Sequence, residues 1–466
     1  MKNANEAKKI LAQSELLTGL PAFHAEPIKT LATGNHCMVA IFADATVTNF
    51  NDYCVALEKD GYALYSKTNF DGDTEERKNY FATYVSDDRT IDLAFHEYDD
   101  FMYVSVSPKG ELTLPSNQAP VVNHPLPIMI TQIGTGDLHS EADMCYVIRL
   151  ADGSFIIYDT GLSYDERGFA GEEIYKVLRK QAADPDHIVV AAIMLSHPHL
   201  DHLCGLFHLA DKHGDDATIT VKQAVYNFPG AEGLPADGMP TEHANVLKTE
   251  AAFEKFANVE IVKPRAGNVL HYPGVKFNVV YTQEDVLSLH DNFVGPSMGN
   301  AASMVTQMVT DDGTKVLFGG DHWVLKCGGQ LKYRYGTFIK SYVCTLFHHG
   351  QGGGAEDAWP DVPDPWKTGI YAMAIQPTVV LWPSTMPVLT TIGDRDQRKT
   401  MRNRYFAKDG EDMSLIFEGN VWHDTPNVNG VHAWYSADRA ILTLTVKGKN
   451  DLDIVRYETR EEYYNS

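Results

Sequence analysis

The run Ser196-His197-Pro198-His199-Leu200-Asp201-His202 packs three imidazoles and a carboxylate into a few positions. Neutral imidazole and carboxylate are the donor set that zinc and its harder neighbours accept. In an extended segment, residues two apart project to the same side, so His197 and His199 can converge on one ion. Asp201 and His202 then turn away and can serve a second. A helix cap would account for Asp201, but no cap needs three imidazoles. Further along, Lys315 to Asp321 reads as a short strand ending in a carboxylate behind Gly319 and Gly320. Glycines let the backbone approach closely, and a carboxylate at a strand end can bridge two cations. Tyr342 to Phe347 reads as another strand, which delivers His348 and His349. Two divalent ions held by such a set lower the pKa of water from about 16 to about 7, so a bridging hydroxide becomes the nucleophile. The chemistry expected is hydrolysis.

The elements that must position these residues are legible around them. Ile188 to Leu195 is an apolar run with no polar face, the pattern of a strand buried on both sides. Leu203, Leu206, Phe207 and Ala210 recur at helical spacing, so the histidines lie on a strand-to-helix loop. Pro198, with no backbone donor, suits that loop. Upstream, two apolar runs flank Asp152-Gly153, a strong hairpin signal. Strands are expected over Thr218 to Tyr226, Val275 to Tyr281 and Thr378 to Trp382.

The His-x-His-x-Asp-His run resembles the signature of metallo-β-lactamase-fold hydrolases. Three further segments match that family in chain order: Asp159-Thr160-Gly161, Gly319-Gly320-Asp321 and His348-His349-Gly350. The resemblance implies an α+β fold, a four-layer αββα sandwich that gathers its ligands at one edge. It implies a first ion on His197 and His199, a second on Asp201, His202 and His349, and Asp321 between them. Asp159 would brace the histidine loop. In the family the last ligand is a His followed by Gly, which favours His349 and leaves His348 as proton donor or substrate contact. Asp201 and His348 are the expected catalytic side chains. Asn300-x-x-Ser303 is similar to the branch typified by the competence-channel hydrolase domain and the phosphorylcholine esterases, and Asn300 and Ser303 would support the site from behind. The third-motif histidine of the β-lactamases has no counterpart; His271 and His290 are the nearest and read as loop histidines. Two divalent metal ions are implied, zinc first, with manganese or iron as alternatives. A small phosphoester is the expected substrate, and a lactone, thioester or other carboxylic ester the alternative. A flavodiiron-type redox enzyme would carry Glu where His199 stands, and the nearly complete ligand set argues against a non-catalytic relative.

At 466 residues the chain suggests an N-terminal α+β domain over 1–120 and the hydrolase domain over 128–466. The first reads as a helix over 1–20, a strand from Met38 to Ala43, a helix from Phe50 to Asp60 and an antiparallel sheet; Pro115, Pro120, Pro125 and Pro127 mark a linker. With 62 acidic against 39 basic residues, the net charge of −23 repels polyanions. The expected partner is a small molecule, with neither bulk nucleic acid nor membrane. The N-terminus lacks the apolar core of a signal peptide and no apolar run reaches a membrane span. Six scattered cysteines without a CxxC pair read as reduced thiols, so a cytoplasmic setting is expected. Arg395, Arg398 and Arg402 fall at near-helical spacing; they form either a solvated face or an anion-recognition patch.

Overall fold

The computed structural model of the protein describes residues 15–34, 37–71, 78–110, 112–134, 144–162, 169–231, 234, 236, 238–289, 297–322, 331–350, 375–382, 425–426, 432–435, 440–457 and 459–466. Strands β1 (Lys29–Gly34) and β2 (Cys37–Phe42) lead to helix α1 (Val47–Lys59), whose first turn is held by a capping box between Thr46 and Asn49. Then come β3 (Ala63–Asn69), β4 (Asn79–Val85), β5 (Arg89–His96) and β6 (Phe101–Pro108). Strands β7 (Met129–Ile133), β8 (Cys145–Arg149) and β9 (Phe155–Thr160) precede α2 (Phe169–Gln181), β10 (Ile188–Leu195) and α3 (Leu200–His213). After β11 (Ile219–Val221), β12 (Gln223–Tyr226), α4 (Pro240–Glu254) and β13 (Glu260–Val262) come β14 (Val269–Tyr272) and β15 (Val275–Tyr281). Next are α5 (Gln283–Leu289), α6 (Ser297–Ala301), β16 (Val305–Thr310), β17 (Lys315–Phe318), β18 (Val343–Thr345) and β19 (Val379–Trp382). The last elements are β20 (Thr425–Pro426), β21 (His432–Tyr435), β22 (Ile441–Gly448), β23 (Asp451–Tyr457) and α7 (Arg460–Asn465).

Among the described residues these form three sheets, ordered β1-β2-β6-β5-β4-β3, then β13-β12-β10-β9-β8-β7-β22-β23 with β11 beside β10, and β14-β15-β16-β17-β18-β19-β21-β20. The second and third face one another. Period-two alternation sends Ile130, Ile148, Tyr158 and Met194 of one and Phe277, Met308, Val316 and Val343 of the other into a shared apolar layer. The opposite face of the second sheet is covered by α2 and α3. The result is an α+β sandwich. The expected strands are present with shifted ends, except that Thr218 to Tyr226 is two strands, β11 and β12, divided at Lys222; β1, which its short alternation hid, joins the first sheet through β2.

The N-terminal sheet is packed onto this sandwich. One buried cluster runs from Leu317, Cys344 and Val380 through Leu331, Tyr335 and Ile339 to Ile41, Phe81 and Tyr103. At its centre Arg334 donates to both carboxylate oxygens of Asp99 and to the Tyr103 hydroxyl, and pairs with buried Asp285 of α5. Asn79 Nδ2 donates to the Arg334 carbonyl at 2.8 Å, and Asn79 Oδ1 lies 2.8 Å from Nδ1 of buried His96. Residues on both sides of the Pro-rich stretch thus share one buried cluster. No helix of the described residues is long and apolar enough to cross a membrane.

Candidate metal centre

The chemistry-bearing residues leave the C-terminal ends of four strands. Asp159 is the last residue but one of β9, the Ser196–His202 loop follows β10, Asp321 lies just beyond β17, and His348 and His349 follow β18. β9 and β10 are parallel neighbours, as are β17 and β18. Carboxyl ends of parallel strands open onto the same edge, where α/β sheets bind ligands. Glycines bring the two edges together. Gly320 has φ +52°, and a Cβ on it would lie 2.6 Å from Ser196 Cβ and 3.3 Å from Ser303 Cβ.

Two groups of ligand atoms result. One atom each from Asp201, His202, Asp321 and His349 lies within 4.8 Å of the others, and so does one each from His197, His199 and Asp321. Asp321 belongs to both. Its Oδ1 is 3.2 Å from Nε2 of His202 and 3.2 Å from Nε2 of His349, while Oδ2 is 3.7 Å from Nε2 of His197. Asp201 Oδ2 lies 3.1 Å from His349 Nε2. The Nε2 atoms of His197 and His202 and Asp321 Oδ1 are buried without a hydrogen bond among the described residues. Leaving such groups unsatisfied is costly, whereas lone pairs converging on one point fit a divalent cation.

Without a bound metal ion, charge and burial shift each of these groups from its ordinary value. Burial by itself would raise Asp321, but the facing His349 and His202 hold it well below the usual carboxylate range. Burial would likewise lower His349, but Asp321 and Asp201 hold it up to about 10. His202 is held well above its ordinary value, the carboxylates of Asp321, Asp159 and Asp201 outweighing its burial. His197 is pushed well down, by burial first and then by the neighbouring His202 and His199. Burial also pushes His348 down.

Supporting bonds fix the rings. Asp159 accepts from the Ser196 N–H and Oγ at 2.8 Å each and from His202 Nδ1 at 2.8 Å, which turns Nε2 of that ring toward the cluster. Thr160 Oγ1 donates to the His202 carbonyl at 2.8 Å. Asp159, His348 and His349 all have left-handed backbone, with φ of 50°, 48° and 50°. Such non-glycine conformations cost about 1–3 kcal/mol each and persist where the surroundings impose them. Here the His348 N–H donates to the Gly320 carbonyl at 3.0 Å and ties this turn to the one carrying Asp321. His348 is in neither cluster; its Nε2 lies 3.8 Å from Asp321 Oδ2 and 3.1 Å from the Asn300 amide. His199, Asp201 and His348 are partly exposed, at 22%, 23% and 15%, and so mark the mouth of the site.

Ser303 is fully buried beside Gly320. His271 sits on β14 in a cleft with Tyr65 and Asn117, and in neither cluster. His290, Arg395, Arg398 and Arg402, and most of the helix expected over 1–20, lie outside the described residues. One neighbour had no signal in the sequence. Glu242, in the first turn of α4, places Oε1 3.3 Å from His199 Nε2, and that contact leads the effects holding its carboxyl below the ordinary value. A lone Glu on a helix some forty residues beyond the motif has no spacing that would mark it.

No curated protein matches the chain. A solved structure, a long form RNase Z from yeast, aligns over 64% of this chain and 46% of that one, at 12% identity and a TM-score of 0.28. The chain thus spans less than half of that protein's length. Beside this match, the expectation of a small-molecule partner to the exclusion of nucleic acid is withdrawn. The physical flaw in that expectation is that net charge sums the whole surface, whereas a local field at a groove decides a contact. Residues 143–323 match the metallo-beta-lactamase superfamily, a span that holds the histidine loop, Asp159 and Asp321. The likeness to the metallo-β-lactamase superfamily thus holds for 181 of the chain's 466 residues, the part that carries the histidine loop, Asp159 and Asp321.

Proposed function

We propose that the protein is a dinuclear metal-dependent hydrolase acting on a phosphoester. The observation that carries this reading is Asp321, whose two carboxylate oxygens face different sets of imidazoles. Divalent ions, when bound, would supply Lewis acidity and a nucleophile at neutral pH. His197 and His199 would hold the first, Asp201, His202 and His349 the second, and Asp321 both. Zinc suits the imidazole-rich set, with manganese or iron as alternatives. Asp159 keeps His202 in the tautomer that offers Nε2. His348, outside both clusters at the mouth and paired with Asn300, is a contact for the substrate's oxygens. The buried walls exclude water, so charge developing on a phosphoryl group would meet the site in a low dielectric. An anionic ester gains more from such a site than a neutral one does. The alternative is a lactone, thioester or other carboxylic ester on the same ligands.

The test is a protein stripped with chelator and reloaded with zinc, manganese or iron in turn. It is then assayed against a phosphodiester, a phosphomonoester, a carboxylic ester, a lactone and a thioester. Metal-dependent phosphoester cleavage at two ions per chain is the expected result. A fully loaded protein that cleaves carboxylic esters or thioesters and no phosphoester would hand the reading to the alternative. Full activity at one ion per chain would sink the dinuclear part.

A further inference from the structure

We propose that Glu242 is the positioning residue for His199: its carboxylate takes the Nε2–H of that imidazole and so presents Nδ1 to the first ion. The inference rests on the two-ion reading above. Glu242 is 3% exposed, and its Oε1 lies 3.3 Å from His199 Nε2. A carboxylate buried to this degree needs a charged or hydrogen-bonding partner. The positive end of α4 favours an acidic residue in the first turn, but that preference requires neither burial nor a histidine. Gly299 closes the same edge of the ring, since a Cβ there would lie 2.7 Å from His199 Nε2. With Nε2 enclosed by Glu242 and Gly299, Nδ1 is the nitrogen left to join His197 and Asp321. Glu242 itself is absent from the cluster of His197, His199 and Asp321, so it acts on the ring and not on the ion.

The same helix also holds the backbone of the motif. Asn245, three residues on from Glu242, is 3% exposed and donates Nδ2 to the Pro198 carbonyl at 2.8 Å. Pro198 stands between His197 and His199, so α4 fixes the loop through Asn245 and the ring through Glu242. A ligating imidazole whose other N–H donates to a carboxylate is locked in one tautomer and made more basic. The first ion has the greater need of this. It has two imidazoles and a share of Asp321, against two imidazoles and two carboxylates in the other group.

The experiment is a calorimetric titration of Zn²⁺ into chelator-stripped wild type, Glu242→Gln and Glu242→Ala, with no substrate present. Wild type should show two binding events. Glu242→Ala should weaken one of them by about 10–100-fold and leave the other unchanged. Glu242→Gln keeps an acceptor oxygen without the charge, and should fall between. Nitrogen resonances of His199 in the metal-free protein should report Nε2–H in wild type and a shift toward the Nδ1–H tautomer in Glu242→Ala. Should the alanine variant fail to fold, the near-isosteric glutamine variant decides by the same two readings. Two events of wild-type affinity in the variants, with the tautomer unmoved, would overturn the assignment and leave the hydrolase reading standing. A single event in the wild type would overturn the two-ion reading and this inference together.

Discussion

At the scale of single residues, the site hinges on a carboxylate shared between two groups of imidazoles. Asp321→Asn keeps the shape and removes the charge, and a neutral amide bridges two cations poorly. Expected is a loss of bound metal from both groups, exceeding the roughly 10–100-fold that follows removal of a merely supporting hydrogen bond. Metal analysis after dialysis against a weak chelator reads it, and a variant retaining both ions would show that Asp321 is no bridge. The paired histidines should separate by role. His349 Nε2 lies between Asp201 and Asp321, so His349→Ala should lose metal from the second group. His348→Ala should keep metal and lose a substrate hydrogen bond, about 1.5–3 kcal/mol for a charged acceptor, or roughly 10–150-fold in kcat/KM. A loss of about 10²–10⁴ confined to kcat would instead mark His348 as a proton donor. If His348→Ala loses the metal and His349→Ala keeps it, the two roles are exchanged. The His197–His202 loop could be read from the chain because its donors crowd a few positions. Glu242 could not, because its meaning depends on where α4 lands.

At the scale of elements, the centre depends on how closely strand ends can meet. β17 and β18 run in parallel, and Gly319 meets the ring of Phe347 where they end. A Cβ on Gly319 would lie 1.2 Å from that ring. Asp321 follows two residues after the one, and His348 directly after the other. Gly319→Ala must push the two turns apart, an overpacking cost of about 1–3 kcal/mol. It should also weaken metal binding, since the Asp321–His349 contact of 3.2 Å spans the displaced gap. Thermal melts with and without metal separate the effects: the melting temperature should fall in both, and the metal-induced rise should shrink. An unchanged rise would mean that the turns adjust independently of the strands. Gly319 and Gly320 were readable as sites of close approach, but not what they approach. Phe347 lies far along the chain, and the pairing of β17 with β18 carries no local signal. Strands of alternating aromatic residues, such as β4 and β6, announced themselves, whereas β1 is short and carries little apolar pattern.

At the scale of the whole molecule, the N-terminal sheet and the sandwich are joined by buried charge. Composition shows a Pro-rich stretch and suggests two independent parts. Asp99, Asp285 and Arg334 are scattered along the chain and have no periodicity, so their junction could not be foreseen. The junction should make stability depend on pH through His96, which lies 3.5 Å from Asp285 and is fully buried. Burial, and then the Arg334 guanidinium, push the His96 pKa below its ordinary value of 6.5. The unfolded chain therefore binds a proton there before the folded one does. Stability is complete above about 6.5 and falls as pH drops from that value toward the folded pKa, with a limiting slope of about 1.4 kcal/mol per pH unit for one proton. Asp285 acts in a lower window. Arg334 outweighs burial and holds its pKa below the ordinary 3.8, so its contribution is complete above that value and is lost as pH falls through the folded one. Denaturant unfolding of metal-free protein at pH 7.5, 6.5 and 5.5 tests the upper window, because Asp285 stays ionised throughout it. His96→Gln should show a shallower decline than wild type, whatever its stability at pH 7.5, since the variant has no proton to take up at this position. Parallel declines in the two proteins would show that His96 is not held neutral at the junction.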